Sequence, residues 1–151
     1  MDSIQKILQA ASRVLKENLL LYDVYSHMES HIGIKKILNH LIGNARETLH
    51  QLQEFEEDTE FLSLRFSLPC GDAQDLNRLE SPFSLDGYTS FQDTLKKILE
   101  RESLLVEFLE MLLSCAESEE AAGILRSRLD QTRRHRALIQ DRLDLETMLS
   151  T

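Results

Sequence analysis

Apolar residues recur every three to four positions along four long stretches of this chain, the spacing of a helix with one buried face. Strand-type alternation of Val, Ile and Thr is hard to find, and only 5 Gly and 2 Pro interrupt the 151 residues. Helices are therefore expected over about 2–28, 34–62, 90–116 and 118–149. Gly33 marks the turn after the first. Thr89 or Ser90 can cap the third, with Gln92 or Asp93 three residues on as the capping-box partner. Ser118, followed by Glu119 and Glu120, starts the fourth in a first turn that suits acids. The fold class is all-α.

Connection lengths constrain the topology. The first and second helices, and the third and fourth, are joined by a few residues, so each pair should be antiparallel neighbours. Between the second and third lie about residues 63–86, with Pro69, Gly71, Pro82 and a possible short helix over 72–79. A connection that long inside one domain is usually a crossover. Residues 1–151 are read as one four-helix-bundle domain, two antiparallel helical hairpins joined by a long crossover, with an up-down bundle as the alternative.

Function classes are excluded next. With 17 basic and 26 acidic residues the net charge is −9, which disfavours nucleic acid and anionic membranes, since both demand clustered Lys and Arg. No apolar run approaches the ~20 residues of a membrane span. There is no Gly-rich phosphate loop, no G-x-S-x-G and no His-Glu-x-x-His. Cys70 and Cys115 form no CxxC, so a zinc ribbon is excluded, and a chain of this length is not expected to need a disulfide. Met1–Lys6 opens an amphipathic helix without a basic leader, and a cytoplasmic location is the expectation.

The stripes themselves carry polar interruptions. The first helix aligns Ile4, Leu8, Ala11, Leu15, Tyr22 and Tyr25, with Asn18 at the centre and Glu17 at one edge. The second aligns Ile34, Leu38, Leu41, Ala45, Leu49 and Leu52. On the third, Glu102 interrupts Leu95, Ile98, Leu105, Leu109 and Leu112. On the fourth, Thr132 and His135 stand between Leu125, Leu129, Ile139 and Leu143. A Glu in mid-stripe must pair, bind metal or be protonated. Arg128, Arg136 and His135 are the expected partners, and Asn18 and Thr132 could complete a polar network that fixes helix register.

The run Glu102-Ser103-Leu104-Leu105-Val106-Glu107-Phe108-Leu109 resembles the third helix of rubrerythrin-like, ferritin-like bundles, and Asn18-Leu19-Leu20-Leu21-Tyr22-Asp23-Val24-Tyr25 echoes it in the first. The resemblance implies two irons in the bundle core, held by one Glu from each of two helices and a Glu-x-x-His from each of the others. Matched on the buried faces, Asn18 replaces the first Glu, Ala45 and Thr48 replace the first Glu-x-x-His, and Thr132 replaces the second bridging Glu. Glu102 and His135 remain as a remnant metal pair. This implies a degenerate site, and a non-enzymatic dimeric structural or interaction module. The alternative is a di-iron oxidase, peroxide-handling or iron-binding protein using Glu17, Glu47, His50, Glu102 and His135. It draws on a literal Glu47-x-x-His50, and on the spacing of 33 residues both from Glu17 to His50 and from Glu102 to His135. Glu47 and His50 fall with Lys36, His40 and Glu54 opposite the apolar stripe, which argues against it.

Other features have plainer readings. His40, Glu47, His50 and Glu54 form a polar ridge, read as a solvated face, and His27 and His31 sit at a helix end. Leu104, Phe108, Met111 and Cys115 make a second apolar stripe on the third helix. The crossover could cover it; a homodimer through this surface is the expectation. Cys115 is read there as a small buried apolar residue.

Overall fold

The computed structural model describes residues 3–28, 32–57, 66 and 90–149. Four helices account for nearly all of them: α1 (Ser3–Met28), α2 (Ile32–Glu57), α3 (Phe91–Cys115) and α4 (Glu119–Leu149). The ends follow capping chemistry. Ser90 Oγ accepts from the Asp93 backbone N–H at 3.0 Å, and Ser118 Oγ accepts from that of Ala121 at 3.1 Å. Gly33, expected to punctuate the turn, instead lies inside the first turn of α2, where φ is helical and no left-handed residue is required. The expected extension of α2 to 62, the crossover (Phe66 apart) and its short helix lie outside the described residues.

The α1–α2 and α3–α4 pairs make the most extensive packing, and α1–α3 and α2–α4 complete the ring. Two apolar clusters fill it. One gathers Leu8 and Leu15 of α1, Leu52 and Phe55 of α2, Leu105 to Leu112 of α3, and Ala121 to Leu129 of α4. The other gathers Tyr22 and Tyr25, Ile34 to Leu41, Leu95 and Ile98, and Ile139 and Leu143. The first half of α1 therefore meets the second halves of α2 and α3 and the first half of α4. It follows that α2 and α3 run parallel, so the end of α2 and the start of α3 lie at opposite ends of the bundle, about 39 Å apart for 26-residue helices. The architecture is an all-α four-helix bundle of two antiparallel hairpins.

The second stripe of α3 is largely closed within one chain. Phe66 is 1% exposed, packs edge-on to Phe55 with ring centroids 5.5 Å apart, and forms an isolated bridge with Ala116. Phe108 and Cys115 are buried, while Leu104 and Met111 stay half-buried. The face expected to meet a second copy is thus narrower than its sequence pattern implies. Cys115 also departs from expectation, because it is disulfide-bonded rather than a free thiol; the chain's other cysteine, Cys70, lies outside the described residues. Among the described residues no helix is long and apolar enough to cross a membrane.

Candidate functional site

Between the two apolar clusters runs a belt of buried polar side chains. Asn18, Asn44, Thr48, Arg101, Glu102, Thr132 and His135 are each at most 6% exposed, and all sit near mid-helix. These include Asn18, Thr48, Glu102, Thr132 and His135, five of the positions that the resemblance maps to iron ligands. Ala45, the sixth, is buried beside them. The belt has two sides of different chemistry.

On the α1–α3 side the charges are enclosed. Arg101, the largest fully buried side chain, donates from Nε to Asn18 Oδ1 at 2.6 Å and from Nη2 to the Val14 carbonyl at 3.4 Å. The same Nη2 reaches Glu17 Oε1 at 3.1 Å. Glu102 takes its hydrogen bond from the Tyr22 hydroxyl at 2.8 Å. Burial raises the Glu102 carboxyl to about 7, opposed by the Tyr22 hydrogen bond and the Arg101 charge. Burial, then the Glu102 charge, holds the Tyr22 phenol well above its ordinary range. The partners expected for Glu102 are therefore corrected. Arg128 is committed elsewhere, Arg136 lies half-buried on the α3–α4 surface, and His135 bonds Gln131 instead.

On the α2–α4 side the belt opens outward. Arg128 Nη1 donates to Asn44 Oδ1, Asn44 Nδ2 donates to Thr132 Oγ1, and Thr132 Oγ1 donates back to the Arg128 carbonyl, a closed circuit with spans of 3.1, 3.2 and 2.8 Å. Arg128 also meets Glu47 Oε2 at 3.1 Å, with Glu47 60% exposed. The Gln131 amide donates to His135 Nε2 at 3.2 Å, and the His40 ring stands 6.3 Å from that of His135. Burial first, then the His40 and Arg128 charges, depress the His135 pKa. These groups border a groove of about 420 Å³, with Gly43 in its wall.

The alternative iron set is not brought together. His50 is 72% exposed and pairs with Glu54 at 3.0 Å, Glu47 binds Arg128, and Glu17 binds Arg101. Among the described residues no three His, Cys, Asp or Glu side chains are grouped to hold a metal. The face-matched set fits iron no better. Its carboxylate is engaged by Tyr22, the Asn18 oxygen is taken by a guanidinium, and Thr48 and Thr132 offer only hydroxyls. A buried cation already supplies the positive charge that α1 and α3 demand. The ridge reading of His40, Glu47, His50 and Glu54 also divides: His50 and Glu54 are solvated, while His40 and Glu47 border the groove. His27 is exposed beside Asp23, and His31 lies outside the described residues.

Arg101, Asn44 and Gln131 were not singled out from sequence, although two of them carry a signal. Arg101 falls three residues after Ile98 and four before Leu105, and Asn44 three after Leu41 and four before Thr48. Comparison with protein-family models, with curated proteins and with solved structures finds no match.

Proposed function

We propose that this chain is a non-enzymatic bundle of ferritin-like connectivity, a structural or interaction module whose polar belt sets helix register. One observation supports this most directly: the Arg101 guanidinium is buried where a metal-binding bundle would need ligands facing a cation, and Asn18, Glu17 and the Val14 carbonyl accept from its Nε and Nη2. Sliding α1 or α3 by one turn would part Arg101 and Glu102 from their α1 partners, which is strongly unfavourable for a buried charge. The parallel run of α2 and α3 is the connectivity that one long crossover gives such a bundle.

Elemental analysis of the purified chain, before and after anaerobic loading with ferrous iron, tests the reading. Iron at background is the expected result; close to two irons per chain would overturn it and direct attention to oxidase chemistry. Assembly through α3 belongs to this proposal on the narrower face left by Leu104 and Met111. Light scattering over a range of concentrations checks it, and a Met111→Glu change should shift any dimer to monomer.

A further inference from the structure

The α2–α4 groove has features that the register role does not use. We propose that it is a binding site for a small oxyanion, the carboxylate or phosphate group of a compact ligand. Its volume of about 420 Å³ lies in the ordinary range of small-molecule sites. Gly43 forms part of the wall, and a Cβ there would meet nothing within 4 Å. Packing therefore does not demand glycine at this place, and a helix interior disfavours it. Its effect is to keep the groove wide.

The groove is rich in donors. Because the Gln131 amide nitrogen donates to His135 Nε2, the neutral imidazole carries its proton on Nδ1, and that N–H has no acceptor among the described residues. Arg128 Nε is likewise buried without one. Both atoms are closed to solvent but belong to side chains that border the groove, so a small side-chain rotation turns them toward an anion, and His40 adds a second imidazole across from His135. Three groups that are or can become cationic thus face one acid, Glu47, which stands exposed at the lip and bonds Arg128. Glu47 is a resident carboxylate on the very guanidinium an incoming oxyanion would use. An anion that displaces it exchanges one charge-assisted hydrogen bond for another and gains from the donors that Glu47 does not use.

This inference does not rest on the metal-free reading of the belt. Its test is titration of the wild-type chain with inorganic phosphate and, separately, acetate, at constant ionic strength, followed by amide and imidazole NMR. Saturable shifts confined to the groove are expected, with the His135 pKa moving up as the anion favours the imidazolium. Response to phosphate alone would identify a phosphate-bearing ligand, and response to both a general oxyanion site. Gly43→Leu should fill the groove and abolish the shifts while the helix keeps its fold. Arg128→Met should weaken binding roughly tenfold or more, and Glu47→Gln should tighten it by removing the competing carboxylate. The proposal is overturned if sodium chloride reproduces the shifts, if none saturate, or if Gly43→Leu binds as well as wild type.

Discussion

The two sides of the belt place the same kinds of residue in opposite settings. Between α1 and α3, Arg101 and Glu102 are sealed, each with partners from α1, and the carboxyl is raised to about 7 by burial. Between α2 and α4, Arg128 and His135 border a groove, with Glu47 exposed to water at its lip and paired to Arg128. A sealed charge fixes how helices pack, because any misregister strands it. A charge that borders a groove can exchange partners, and that is what recognition requires. The contrast separates a structural half of the belt from a half available for binding.

The sharpest way to break the comparison is to remove the two arginines in turn. Arg101→Met strands Asn18 and Glu17 beside an apolar core and should destabilise the fold by about 3–5 kcal/mol. Arg128→Met leaves an acid that is already 60% exposed and one buried acceptor, Asn44 Oδ1, and should cost about 1–2 kcal/mol. Urea denaturation of both variants decides it; equal losses would erase the distinction.

Opposite pH slopes come next. Glu102 holds its proton in the folded state up to about 7, against 4.5 when unfolded, so the folded chain binds more protons between those values. Stability from this group is complete below the lower value and falls as pH rises toward the higher, by about 3 kcal/mol in all. Glu102→Gln should abolish that fall, so the variant gains on wild type steadily from pH 4.5 to 8 in denaturation curves. His135 has a depressed folded pKa, so the unfolded chain binds more protons and stability falls as pH drops below the ordinary 6.5. His135→Gln should remove the acid-side loss. Parallel slopes in the two variants would count against the assignment.

Smaller effects sharpen the picture. Tyr22→Phe deletes the donor to Glu102 and should cost about 1–2 kcal/mol, more at high pH, where the carboxylate needs that donor most. Gly43→Ala, whose new methyl meets open space, should stabilise by about 1 kcal/mol in thermal or chemical unfolding. A loss there would mean the helix is held by something at that wall.

Much of the fold was legible because helical stripes are a one-dimensional signal. Asn18, Glu102, Thr132 and His135 could be placed inside the core by counting threes and fours, and Glu47 and His50 outside it by the same count. Partner choice was not legible. That Glu102 meets Tyr22 depends on the register of α1 against α3, a relation between elements rather than within one. Arg101 escaped for a different reason. Arginine beside an acid reads as surface by default, and only its distance from Ile98 and Leu105 betrays a buried position. The disulfide at Cys115 was equally opaque, because two cysteines 45 residues apart carry no spacing signal.

The directions of the helices also decide how the bundle bears load. The first turn of α1 and the last turn of α4 lie at opposite ends, with parallel α2 and α3 between them. Force applied to those two turns makes the helices slide along one another instead of peeling apart. Sliding must break both apolar clusters and the charged belt together, whereas peeling would break them one layer at a time. Pulled along that axis, the bundle behaves as a lap joint pinned at its middle by Arg101.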